Sequence, residues 1–144
     1  MKGSKVISCL KEMQDWVEEL YQQLPSKAVI LLHGPLGAGK TQFVQFLSRQ
    51  ASSPTFVLHQ RYSSEKGEID HVDLYRLESE EDLESMGFWD LFSKPQGYIC
   101  VEWPERLPQN SLPPDWPRLE VFLDPVEPYP SRKVKWELRL HGGM

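Results

Sequence analysis

Two periods organise the apolar residues of this chain. Leu10, Met13, Trp16 or Val17, Leu20, Tyr21 and Leu24 recur every three or four positions, which predicts an amphipathic helix that Pro25 ends. The run Ala28-Val29-Ile30-Leu31-Leu32 has the length of a fully buried strand, and the pattern sets that strand at roughly 27 to 32. A helical pattern follows at roughly 39 to 50, with Phe43, Val44, Phe46 and Leu47 on one face. Ala51-Ser52-Ser53-Pro54 breaks it, because proline disfavours helix at the residue before it. Residues 56 to 62 and 68 to 74 read as two short strands of a hairpin around Ser63-Ser64-Glu65-Lys66-Gly67.

Beyond Leu77 the character changes. Ser79 suits a helix N-cap, Glu80, Glu81 and Asp82 suit the positive end of that helix, and Gly87 suits its termination. Gly97-Tyr98-Ile99-Cys100-Val101 is a second buried-strand run, ending at Glu102. Residues 104 to 117 carry five prolines and read as a connection without a core of its own. Leu119, Val121 and Leu123 alternate with their neighbours. Val134, Trp136, Leu138 and Leu140 alternate with Lys133, Lys135, Glu137 and Arg139, the period of an antiparallel strand with one wet face. No internal repeat interrupts this order.

Composition narrows the picture. At 144 residues the chain is one domain of ordinary size, with 40% hydrophobic and 26% charged residues. A formal charge of −5 argues against a self-sufficient nucleic-acid binder, which carries a basic surface. Action on RNA through a partner stays open. Cys9 and Cys100 have neither metal-ligand spacing nor a disulfide framework, and Cys100 sits in an apolar run as a small core residue. With no signal peptide and no long apolar run, the expected location is the cytoplasm.

Between the first buried strand and its helix lies Gly34-Pro35-Leu36-Gly37-Ala38-Gly39-Lys40-Thr41, a complete G-x-x-x-x-G-K-T loop. Strand, glycine loop and helix form the context that a phosphate-binding loop requires. Glycines let backbone N–H groups turn around phosphate oxygens, and the new helix presents its positive end to them. Lys40 suits the β- and γ-phosphates, and the Thr41 hydroxyl suits Mg²⁺. Together with the strand and helix order, this predicts an α/β fold: a P-loop NTPase-like three-layer sandwich. Its central sheet is mixed and mainly parallel, with antiparallel additions.

Such a loop needs a partner acid. Glu102 ends an apolar strand that follows a helix, as a parallel neighbour of the loop strand does, and so suits the Mg²⁺ shell. A strand-end surface carboxylate is its alternative reading. Asp73 suits a carboxylate that orients or deprotonates an attacking water, with a salt-bridged strand end as the alternative. His71 shares the Asp73 strand face and reads as structural; Arg76 suits either a charge-stabilising finger or a pair with nearby acids. Thr55 lies in a loop beyond the P-loop helix, where switch segments sense a γ-phosphate. The Asn-Lys-x-Asp loop of guanine readers is missing, because Asn110 is the one asparagine and Ser111 follows it. ATP is therefore favoured over GTP. Trp103 suits stacking on a base or packing in the core.

In this order, the first helix, Leu36-Gly37-Ala38-Gly39-Lys40-Thr41, Ser53-Pro54-Thr55-Phe56, His71-Val72-Asp73-Leu74-Tyr75-Arg76-Leu77 and Glu102-Trp103-Pro104 resemble the TsaE family. These are small bacterial ATPases required for threonylcarbamoyladenosine in tRNA. The Ser-Pro-Thr-Phe and Asp-Leu-Tyr-Arg segments carry the specificity. The resemblance implies an ATP- and Mg²⁺-dependent ATPase working with TsaD-like and TsaB-like proteins, with tRNA reached indirectly and no membrane involved. It implies that residues 36 to 41 hold phosphates, that Thr41 and Glu102 hold the metal, and that Asp73 and Lys40 serve hydrolysis. It also implies that Thr55 lies in a switch-like loop and that Trp103 lies near the nucleotide.

Two positions depart from the family pattern. Pro35 stands where an acid is usual and removes one N–H, and Ser48-Arg49-Gln50-Ala51 lacks the usual glycine. The stretch from Pro104 to Pro117 is also richer in proline than the family pattern. Two other functions compete: a small kinase of a nucleoside or metabolite, and a nucleotide-dependent assembly scaffold in which hydrolysis is immaterial. A kinase needs an acceptor pocket and a water-excluding lid, and the chain has no long insertion to supply one.

Overall fold

The computed structural model describes residues 1–49 and 59–140. Seven strands form one sheet among the described residues, in the order β1-β7-β6-β2-β5-β4-β3. The strands are β1 (Lys2–Ile7), β2 (Lys27–His33), β3 (His59–Ser64), β4 (Gly67–Asp73), β5 (Gly97–Glu102), β6 (Arg118–Pro125) and β7 (Arg132–Arg139). The centre, β6-β2-β5-β4, is parallel throughout, and β1, β7 and β3 are antiparallel additions. Central strands are buried on both faces, which is why β2 and β5 read as continuous apolar runs.

Helices α1 (Leu10–Gln23) and α2 (Lys40–Ser48) cover one face of the sheet. Met13, Trp16, Val17, Leu20, Phe43, Val44 and Leu47 pack there on Ala28, Ile30, Leu32, Cys100, Leu119 and Val121. Each of the larger side chains contributes about 1.5–3 kcal/mol on full burial. The opposite face carries α3 (Glu80–Ser85) and short 3₁₀ turns at Trp89–Ser93 and Pro104–Arg106. There Leu83, Phe88 and Leu91 meet Val29, Leu31, Val72, Ile99 and Val101. The result is the three-layer arrangement expected from the sequence.

Local chemistry explains the boundaries. The Ser79 N–H donates to Asp82 Oδ2 at 3.2 Å, half of a capping box for α3, and Gly87 ends that helix at φ +75°. The α1 C-terminus is held from the hairpin turn: Lys66 Nζ donates to the carbonyls of Tyr21 at 2.6 Å and Leu24 at 3.1 Å. Cys100 is fully buried and its thiol is pushed up by burial, as a core cysteine's should be.

Three differences from the expectations stand out. The stretch 104 to 117 is not coreless: Leu112 and Trp116 enter the second apolar cluster, and the Trp116 indole N–H donates to Phe92 O at 3.2 Å. Strand β1 has no apolar alternation; only Ile7 is buried, and its pairing with β7 holds it. Helix α2 ends at Ser48, one residue before Arg49 at φ +57°, where a glycine would be unstrained. The first half of the expected strand at 56 to 62 lies outside the described residues.

Candidate functional site

Strand β2 delivers the chain to the loop at its C-terminal end, where a parallel sheet places ligands. Gly34 has φ +151°, and a Cβ there would come within 2.5 Å of the Leu123 carbonyl oxygen on β6. Gly39 has φ +107° and caps α2, and a Cβ there would lie 1.9 Å from Arg132 Nη1. At Gly34 backbone excludes a side chain, and at Gly39 the positive φ disfavours one. Between them, the Ala38 N–H donates to Pro35 O at 3.1 Å. That turn uses the Pro35 carbonyl and makes no use of an N–H at this position, so proline fits. Leu36 and Gly37 are exposed at the tip, and Ala38 is buried beneath them. The first N–H groups of α2 open beside Lys40 and Thr41, where a helix has no acceptors of its own.

Lys40 is 4% exposed. Its Nζ donates to Gly34 O at 2.6 Å and lies 3.3 Å from the centre of the Trp103 ring. Burial pulls the ammonium below its ordinary pKa, and the fields of Glu102, Glu105 and Asp73 oppose that shift. Trp103 holds this position through a left-handed backbone, φ +63° and ψ +51°, unusual for so bulky a residue. Tyr75 tilts against the same indole at 5.1 Å.

Glu102 ends β5 one strand away and is 4% exposed. The Thr41 hydroxyl donates to Glu102 Oε2 at 2.9 Å, and His71 Nε2 lies 2.6 Å from the same oxygen. Asp73 is the register partner of Glu102 across β4 and β5, and its Oδ1 accepts the Tyr75 N–H at 3.0 Å. The structure thus brings Lys40, Thr41, Glu102, Trp103, His71 and Asp73 to one end of the parallel sheet. Thr55 lies outside the described residues.

The donor set suits a hard, small cation. Among the described residues no three His, Cys, Asp or Glu side chains cluster as a metal cage. One carboxylate and one hydroxyl beside the glycine loop would suit Mg²⁺, since it keeps several waters and takes further oxygens from phosphates. Gly37, at φ +80°, has nothing within 4 Å of where a Cβ would stand, so the loop backbone is open there.

Two features escape a reading by motif. The His71 ring bonds the candidate metal acid rather than a purely structural partner. Arg132, on β7, donates from Nη1 to Ala38 O at 2.9 Å and to Gln42 Oε1 at 3.1 Å. A signal for it existed: Arg132 stands in step with Val134 and Trp136, on the apolar side of the alternation.

The family model described as "Threonylcarbamoyl adenosine biosynthesis protein TsaE" matches residues 7–133. The tRNA threonylcarbamoyladenosine biosynthesis protein TsaE of Synechocystis is 44% identical over 108 residues, covering 69% of this chain and 69% of that protein. The proteins of the same name from Aquifex aeolicus and Rickettsia conorii are 39% and 36% identical. Those alignments cover 62% and 81% of this chain, and 67% and 68% of the relatives. The crystal structure of Bacillus subtilis YdiB superposes with a TM-score of 0.69 at 22% identity, covering 97% of this chain and 86% of that one, which shows a shared fold. With a family model spanning residues 7–133 and relatives of this identity, the chain belongs to the TsaE family.

Proposed function

We propose that this chain binds and hydrolyses ATP with Mg²⁺, and that the hydrolysis serves threonylcarbamoyladenosine modification of tRNA. In this reading it acts in the cytoplasm with TsaD-like and TsaB-like proteins and reaches tRNA through them. The observation that carries the reading is the corner where the Thr41 hydroxyl meets Glu102 at 2.9 Å beside the buried Lys40. The names of the relatives, all tRNA threonylcarbamoyladenosine biosynthesis proteins, supply the pathway.

The loop amides of residues 36 to 41 receive phosphate oxygens, and Lys40 exchanges its bond to Gly34 O for one to a phosphate. The exchange is favourable because the phosphate offers a full negative charge to an ammonium that burial has stripped of water. Thr41 and Glu102 would hold the metal, and His71, bonded to Glu102 Oε2, would orient that carboxylate. Magnesium, when bound, neutralises charge on the β- and γ-oxygens. Asp73, beside Glu102 in register, orients the attacking water and accepts its proton, while Trp103 lies near the nucleotide. Thr55 is assigned the switch position by its place in sequence alone.

The test is ATP hydrolysis by the full chain, alone and with TsaD-like and TsaB-like proteins. Hydrolysis is expected to be slow alone and stimulated by the partners. Asp73→Ala should lower turnover by about 10²–10⁴-fold with ATP affinity kept, and Lys40→Ala should lose binding itself. Phosphoryl transfer to a small metabolite would replace this reading with a kinase. Full tRNA modification by a hydrolysis-dead Asp73→Ala chain would replace it with a scaffold.

A further inference from the structure

Arg132 is 9% exposed, and its recorded contacts are all uncharged: Ala38 O, Gln42 Oε1 and, at 3.6 Å, Met13 Sδ. Lys40 is the other buried cation among the described residues. Neither has a carboxylate within 4.0 Å among those residues. Buried charges are ordinarily paired, because leaving water is costly for an ion. Here two unpaired cations flank one loop, so an anion seated in that loop answers both.

The geometry also sets a direction. In a trans peptide the C=O and the following N–H point to opposite sides. The Ala38–Gly39 peptide has its carbonyl on Arg132, so the Gly39 N–H faces away from the guanidinium. The side chain occupies the space a Cβ at Gly39 would need, which locks that peptide from behind. A positive charge behind the carbonyl raises the pull of the N–H on an anion in front.

We propose that Arg132 is a positioning residue for phosphate binding. From β7 it holds the Ala38–Gly39 peptide with its N–H turned toward the ligand, and it adds a second buried positive charge that the phosphates neutralise. The proposal rests on the reading that the loop binds nucleotide phosphates.

The experiment is calorimetric titration of the full chain with Mg²⁺–ATP and, separately, with inorganic pyrophosphate, using wild type, Arg132→Met and Arg132→Lys. Arg132→Met should weaken binding of both by about tenfold to a hundredfold, the loss expected for a hydrogen bond to a charged group. Arg132→Lys should recover most of it. Melting of the free Arg132→Met chain should not fall, since an unpaired buried charge has been removed. Affinity within about twofold of wild type in Arg132→Met would overturn the proposal. So would an equal loss in both variants with lowered melting, which marks packing alone. If Arg132→Met does not fold, Arg132→Gln keeps a donor without the charge, and wild-type affinity there overturns the proposal, while a loss that Arg132→Lys restores upholds it. Wild type that binds pyrophosphate but not ATP sinks the ATP reading and leaves Arg132 standing or falling by the pyrophosphate titrations of its variants. Binding of neither sinks both.

Discussion

Asp70 and Glu102 are both buried carboxylates, on neighbouring parallel strands and on opposite faces of the sheet. Their partners differ in kind. Asp70 is enclosed by two cations and a histidine: Lys94 Nζ at 2.6 Å, Arg61 Nε at 2.8 Å and His59 Nε2 at 2.7 Å. Those bonds tie β3, β4 and the segment after the first 3₁₀ turn together. Glu102 meets a hydroxyl and an imidazole, with no lysine or arginine within 4.0 Å among the described residues. The first acid has its charge answered by the fold. The second has no lysine or arginine of the described fold against it. Burial alone does not separate a structural lock from a site; the charge of the partners does.

The largest expected effect tests the lock. Asp70→Ala strands Lys94, whose side chain is 14% exposed, and should cost about 3–5 kcal/mol in urea denaturation. ATP affinity should stay near wild type wherever the chain is folded. The same lock has a pH signature. Burial pushes the Asp70 carboxyl up, but Lys94, Arg61 and His59 outweigh it and hold the group below its ordinary value. Its contribution is then complete above the unfolded pKa of about 3.9 and disappears as pH falls through the lower folded value. Acid titration should show wild type losing stability below about pH 4 along a limb that Asp70→Asn lacks.

Next comes the open acid. Glu102→Gln should weaken the apparent Mg²⁺ affinity of ATP hydrolysis by about 10- to 100-fold, with little change in melting. A stability loss as deep as that of Asp70→Ala would collapse the contrast between the two carboxylates. The smallest effect concerns the cation facing Glu102. Burial lowers the Lys40 pKa, so the folded chain holds that proton less firmly than the unfolded one. The resulting cost is present at neutral pH and fades as pH rises toward 10.5, the ordinary lysine value. Lys40→Met should therefore raise the stability of the free chain by about 0.5–1 kcal/mol at pH 7, while abolishing the rise in melting temperature on adding ATP. Unchanged stability in that variant would mean the Trp103 ring and the Gly34 carbonyl already compensate the charge.

The parts legible in sequence are those whose physics is local. Strands buried on both faces leave apolar runs, so β2 and β5 stand out, and a glycine loop between strand and helix announces itself. Glu102 was readable because it ends such a run. The parts that were not legible depend on chain brought from far away. Strand β1 is polar and exposed, and only its register with β7 makes it a strand. Prolines around Leu112 and Trp116 hide the packing of those two side chains. Arg132 reaches Ala38 across 94 positions of sequence. Within Ser131-Arg132-Lys133 it reads as one more solvated charge unless the alternation is followed one step past Val134.

The Lys40 ammonium resting 3.3 Å above the Trp103 ring has a consequence for optics. A charge at that distance perturbs the excited state of an indole, and a phosphate that draws Nζ away removes the perturbation. Titration with Mg²⁺–ATP should therefore change the chain's own fluorescence. Trp103→Phe supplies the blank for the other four tryptophans.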